Sequence, residues 1–201
     1  MNTGRMAVAS SRGRRRSIRL RGHDYTRPGA YFLTIVTRGR ACLFGEVTER
    51  EMRLNRVGEI VQEEWLRCAV LRPHVALRDE EVVIMPNHIH AIIWIEPENV
   101  GARRRSAPTT EGFGAPAVGS VPIIVRAFKS ATTRRINTQH GIPGSTVWQR
   151  NYYEHVIRGD DRLARIRQYI IDNPPQFDLD GEIPDALQVA SGPSVDEPWR
   201  E

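Results

Sequence analysis

Two histidines one residue apart, His88 and His90, open the apolar run Ala91-Ile92-Ile93-Trp94-Ile95 directly after a Pro86-Asn87 pair. Pro-Asn marks a turn and the run behind it a strand. Side chains two apart on a strand share a face, so the imidazoles stand side by side while Ile89 points the other way. Held by rigid backbone, they can bind a metal ion if a further ligand arrives from elsewhere. Alone, such a pair is a weak signal, because strand histidines also serve purely structural ends. The third ligand, and the group a metal would serve, decide between the two.

Both can come from the last periodic segment. Residues Asp160 to Asn173 predict a helix, N-capped by Asp160 or Asp161 and ended by Pro174. Tyr169 and Asn173 lie four apart and share one face, on the shoulder of the stripe Leu163, Ile166 and Ile170 that must pack on the sheet. The Asn173 carboxamide oxygen could complete a metal site, with the Tyr169 hydroxyl a turn away and Arg162 and Arg165 on the same flank. A tyrosine beside a metal and arginines suggests phosphoryl transfer to a phenol, the metal polarising the phosphate. Spacing alone also allows Tyr169 to be an aromatic at the core edge and Asn173 a plain helix-end residue. The rival tyrosines, Tyr152 and Tyr153, sit on an extended segment where neither has an i+4 partner for a metal.

The elements that must position these groups follow from pattern. Tyr31 to Thr37 is β-branched and aromatic behind Pro28-Gly29 and predicts the first strand. Residues 38–52 read as a connection or short hairpin. Leu54, Val57, Ile60, Val61, Trp65, Cys68 and Ala69 recur at helical spacing, and Pro73 closes that helix. A second strand is expected over Val75 to Met85 with a bend at Asp79-Glu80, and the histidine strand over His88 to Glu96. A second helix follows over Pro122 to Asn137, with Val121, Ile124, Val125 and Phe128 on one side and Arg126, Lys129, Arg134 and Arg135 on the other. Val147 to Arg158, which includes Arg150, reads as a strand or extended lead-in. This order predicts an α+β fold: a two-layer, ferredoxin-like (RRM-like) antiparallel sheet with helices, plus an additional C-terminal helix carrying the candidate nucleophile.

With 201 residues and a net charge of +5, the chain fits one domain with tails and a polyanionic partner. Arginine supplies most of the positive charge, and its planar fork suits phosphate. The run Arg14-Arg15-Arg16 belongs to a basic arm over residues 1–18, expected to be disordered. The domain spans 19–177, interrupted by a mobile insertion over 97–119, and 178–201 forms an acidic, loosely held tail. Cys42 and Cys68 have no framework or metal spacing, which points to a reducing compartment. No run is long enough to span a membrane and no secretory signal is evident, so a soluble cytoplasmic protein with no membrane partner is expected.

Together, Met85-Pro86-Asn87-His88-Ile89-His90, Phe128-Lys129-Ser130 with Thr133-Arg134-Arg135-Ile136-Asn137, Trp148-Gln149-Arg150-Asn151-Tyr152-Tyr153-Glu154-His155-Val156-Ile157-Arg158 and Tyr169-Ile170-Ile171-Asp172-Asn173-Pro174 resemble the REP-associated tyrosine transposases. These are single-tyrosine transposases of the HUH superfamily, named for a His-hydrophobic-His motif. The resemblance runs from about Arg19 to Phe177 in the same order. It implies that His88, His90 and Asn173 bind Mg²⁺ or Mn²⁺, and that Tyr169 attacks a single-stranded DNA phosphate to give a 5′-phosphotyrosine and a free 3′-hydroxyl. It also implies a single-stranded or hairpin DNA partner, held by basic surfaces to which Arg14, Arg15, Arg16, Arg126, Lys129, Arg134, Arg135, Arg150, Arg162 and Arg165 would contribute, and a monomer or homodimer. Where many members carry Gly-Thr before the first strand, this chain has Gly29-Ala30, which leaves the DNA target open between REP elements and an ordinary insertion sequence. A domesticated module that binds DNA or RNA hairpins without cutting, and a metal-dependent nuclease using water, are the competing functions.

Overall fold

Gly29–Val36 forms the central strand, β1, of the sheet that carries both histidines. A computed structural model of the chain describes residues 23–97 and 117–180, with side chains through 177. The arm with Arg14, Arg15 and Arg16, most of the 97–119 insertion and the tail beyond 180 lie outside the described residues.

The hairpin Gly45–Thr48 (β2) and Glu51–Leu54 (β3) follows β1, then helix α1, Arg56–Val70. Next come the strands β4 (Val75–Ala76), β5 (Val82–Met85) and β6 (His88–Ile95). Helix α2 (Val121–His140), strand β7 (Tyr153–Ile157) and helix α3 (Asp160–Asp180) complete the described order. β6 runs antiparallel to β1 over its whole length, Val36 facing His88, and β7 flanks the other side of β1. β4 and β5 both pair antiparallel with β6. With α1 and α2 as crossovers, this is the expected ferredoxin-like order.

The strand period of two sorts side chains into two cores. Tyr31, Leu33, Ile35, Ile89, Ala91 and Ile93 pack with Ile60, Val61 and Trp65 of α1 and Ile124, Val125 and Phe128 of α2. On the opposite face Ala30, Phe32 and Ile92 meet Leu163, Ile166 and Ile170 of α3. His88 and His90 share this second face with Ile92, so α3 is the layer that covers them. The additional helix thus occupies the place the sequence assigned to it.

The structure sharpens the expectation at several places, and Leu54, expected in the first helix, closes β3 instead. The strand expected over 75–85 is two short strands separated by a 3₁₀ turn at Asp79–Glu81. From this turn the Glu81 carboxylate reaches Arg167 and Trp94. The extended segment begins pairing in the sheet only at Tyr153, Trp148 making one isolated bridge to Thr37. The last helix starts at Asp160 as expected, but neither aspartate caps it and it does not stop at Pro174. Asp160 and Asp161 lie in its first turn, where acids complement the helix dipole, and Gly159, at φ +83°, precedes them and accepts from the Leu163 amide. At its other end Pro174 and Pro175 lie inside the helix. Proline's fixed φ is itself helical; what it forfeits is one amide donor and some clearance, and the segment tolerates both.

Asn55 caps α1, its Oδ1 accepting from the Val57 and Gly58 amides at 2.9 and 3.0 Å. Gly58 is needed here because the hairpin passes close by: a Cβ at this position would meet the Phe44 carbonyl oxygen at 2.2 Å. Alanine would gain about 1 kcal/mol of helix propensity, but the obstructing atom is backbone and cannot rotate away. Gly58→Ala is therefore expected to destabilise the fold by about 1–3 kcal/mol, measured as a lower urea midpoint with an unchanged slope.

Candidate active site

The register of β1 against β6 sets Thr34 opposite His90, and Thr34 Oγ1 lies 2.9 Å from His90 Nδ1. The other ring nitrogen, Nε2, lies 3.2 Å from the Tyr169 hydroxyl. A neutral imidazole has one donor and one acceptor nitrogen, so both contacts of His90 can be satisfied at once. Phe32 stacks on the His90 ring at 5.5 Å between centroids and meets Tyr169 edge-on at 6.2 Å. Ring packing thus fixes the rotamer of imidazole and phenol together.

His88 is held differently. Its Nδ1 lies 2.7 Å from Asn87 Oδ1, an acceptor, so Nδ1 carries the hydrogen and Nε2 presents its lone pair. That Nε2 is buried and, by geometry, has no hydrogen-bond partner among the described residues. The buried Asn173 carboxamide acts on the same ring, favouring its charged form. The two imidazole centroids stand 4.5 Å apart. An unpartnered buried ring nitrogen, a neighbouring imidazole and a buried carboxamide are the donor set expected from His88, His90 and Asn173. Among the described residues no group of three His, Cys, Asp or Glu side chains could hold a metal; the expected set differs in including an amide.

Burial keeps both rings neutral. His88 is pushed down to about 4, mainly by desolvation, with Arg40 adding to the shift and Asn173 opposing it. His90 is lowered well below the usual range by desolvation and by His88. A base whose folded pKa is depressed leaves stability intact above the unfolded value near 6.5. As pH falls below that value the unfolded chain takes up protons first, and stability is lost until the folded ring titrates. Metal-free protein is therefore expected to lose about 3 kcal/mol from His88 between pH 6.5 and 4. Urea unfolding in chelator across that range checks it, and His88→Gln should make the loss shallower, His90 accounting for what remains.

The other expected site residues divide. Arg134 and Arg150 come together beside Ser130, Thr133 and Gln149 along an open groove of about 430 Å³. Its floor segment is bonded to the end of β1 that faces His88, the Gln149 amide donating to Val36 O. Arg126 and Arg165 are exposed, and Arg162 is half-buried. Lys129 lines the same groove but donates to the carbonyls of Gln149, Arg150 and Asn151, burial lowering its pKa to about 8. Arg135 is engaged by Glu63 and, at 2.8 Å, by Glu64, tying α2 to α1. Tyr152 donates to Glu154 at 2.6 Å, while Tyr153 packs beside Phe32 on the α3 face.

Sequence reasoning missed Thr34, Phe32 and the role of Asn87 beyond its turn. Thr34 and Phe32 become partners of His90 only through pairing with a strand more than fifty residues away. Asn87 carried a usable signal, because a polar residue adjacent to a metal-type histidine commonly orients its ring.

No family model matches the chain. An uncharacterized protein of Haemophilus influenzae is 37% identical over 171 residues, covering 83% of this chain and 91% of that protein. A second H. influenzae protein, provisionally named a REP-associated tyrosine transposase, is 26% identical over 151 residues, 75% of this chain and 73% of its own length. Two solved structures are also similar. One is a REP-associated tyrosine transposase bound to a REP hairpin, at 18% identity and a TM-score of 0.48, covering 86% of this chain and 96% of that one. The other is a provisionally assigned transposase of Deinococcus radiodurans, at 19% and 0.43, covering 78% and 98%. The chain belongs to one family with the uncharacterized H. influenzae protein and is more distantly similar to the one provisionally named a REP-associated tyrosine transposase.

Proposed function

We propose that this chain nicks and rejoins single-stranded, hairpin-forming DNA through a 5′-phosphotyrosine intermediate, with Tyr169 as nucleophile. The observation that carries the reading is the Tyr169 hydroxyl 3.2 Å from His90, beside a second buried histidine whose Nε2 has no partner. A core-edge tyrosine needs neither neighbour, and a binding module needs none of the three together.

The Tyr169 phenolate oxygen attacks phosphorus in line. A tyrosine–phosphorus bond forms as the bond from phosphorus to the 3′ oxygen breaks. The phenol gives up a proton, the departing 3′ oxygen ends as a hydroxyl, and the downstream strand stays on the tyrosine. Attack by a 3′-hydroxyl on the same phosphotyrosine reverses every bond change and rejoins the strand. His88, His90 and Asn173 would hold Mg²⁺ or Mn²⁺, the latter suiting two nitrogens and one oxygen better. Such an ion would offset the charge developing on the phosphate. The neutral state of both rings supports this assignment, since only an unprotonated imidazole can ligate.

The test is a 3′-labelled hairpin incubated with protein and Mn²⁺. Label that stays with the denatured protein supports the reading. Free cleaved product would assign the site to water attack, and an intact shifted band would leave a binding module.

The basic groove at Arg134 and Arg150 supplies phosphate contacts that carry no sequence information. Binding should therefore weaken steeply with salt. Arg150→Ala is expected to lower hairpin affinity evenly across sequences and to reduce the slope of log K against log salt by about 1. An unchanged slope would remove Arg150 from the DNA surface.

A further inference from the structure

A buried carboxylate on the α3 face of the sheet has no part in the chemistry above. Glu81 is fully buried. Its Oε1 accepts from Arg167 Nε at 2.9 Å and Nη2 at 2.6 Å, and from Arg78 Nη1 at 3.3 Å; its Oε2 accepts from Trp94 Nε1 at 2.5 Å. The Arg78 guanidinium also lies over the Trp94 ring, 4.5 Å from its centroid. Trp94 is on β6, in the alternation that presents His88 and His90 to the same face, and Arg167 is on α3 two residues before Tyr169. One carboxylate thus joins the histidine strand to the helix of the phenol.

The apolar contacts under α3 cannot do this. Leu163, Ile166 and Ile170 on Ala30, Phe32 and Ile92 hold the helix down, but burial is non-directional and leaves its roll about its own axis loosely set. At about 100° per residue, Arg167 and Tyr169 fall on opposite shoulders of that stripe. A roll that carried the phenol away from His90 would have to pull Arg167 off Glu81. A buried ion pair stabilises little beyond an apolar pair of the same volume; what it adds is direction.

We infer that Glu81, acting through Arg167, is a positioning residue that sets the roll of α3 and so aims the Tyr169 phenol at His90. Its catalytic consequence rests on the nicking reading; its structural consequence does not.

The full-length chain carrying 3-fluorotyrosine at position 169 separates the two. Arg167→Lys keeps Glu81 paired but loses the two-nitrogen grip, and the double variant Glu81→Met/Arg167→Met leaves neither charge behind. Both should keep the wild-type circular dichroism and bind the hairpin within about twofold, while the fluorine resonance shifts and broadens and adduct formation slows by about 10–100-fold. A wild-type resonance in both variants overturns the inference, whatever the activity. So does a double variant that no longer folds, which would assign the pair to stability alone. If the resonance moves as expected but wild-type protein forms no adduct, the positioning role stands and the nicking reading falls.

Discussion

Tyr169→Phe leaves a protein that folds, binds the hairpin with wild-type affinity and forms no covalent adduct. The substitution removes one oxygen, and without it no tyrosine–phosphorus bond can form, so the expected loss is to background rather than to a reduced rate. The fold should survive because the ring keeps its edge-on contact with Phe32, while the hydroxyl's contact at 3.2 Å to His90 Nε2 is given up. A lone hydrogen bond contributes about 1 kcal/mol. Gel analysis of 3′-labelled hairpin on denatured protein gives the result directly. If Tyr169→Phe still retains label, the nucleophile lies elsewhere; Tyr153, on the same face of the sheet, is then the residue to change next.

His88→Ala is the second large loss. The ring is fixed by Asn87 and offers a bare Nε2 to a site shared with His90 and Asn173. Removing it takes away one of the three proposed ligands. A metal that contributes several kcal/mol of transition-state stabilisation corresponds to a rate loss of about 10³-fold. Hairpin binding should change by less than about twofold, because the arginine groove is a separate surface. Titration with Mn²⁺, followed by electron paramagnetic resonance, tests the ligand role apart from activity. A variant that nicks at the wild-type rate, or takes up Mn²⁺ as well as the wild type, would remove His88 from any metal site.

Much of this arrangement was legible from residue types. The His-x-His alternation placed both rings on one face because strand geometry has only one period. The i, i+4 relation of Tyr169 and Asn173 held because it needs only helical turns, and the helix does continue through both. The parts that could not be read involve pairing at a distance. Nothing in the sequence ties Thr34 to His90, or Arg167 to Glu81, until the sheet register is known. Nor does composition distinguish an arginine that faces solvent from one that another element claims. Arg134 and Arg135 are neighbours of one chemical type; the first lines the groove, while the second is committed to Glu63 and Glu64. The helix stop at Pro174 failed for a different reason. Proline's rule concerns a lost donor and a local clash, a local preference that the helix through Pro174 and Pro175 overrides.

The break between β4 and β5 bears on how this protein behaves at high concentration. An outer strand with a continuous row of open amides and carbonyls invites pairing with another molecule. Here that row is interrupted by a 3₁₀ turn bearing the exposed side chains of Asp79 and Glu80, so an incoming strand would meet negative charge and a kink before it could zip up. The turn beside which Glu81 meets α3 thus guards this margin of the sheet against intermolecular β-addition.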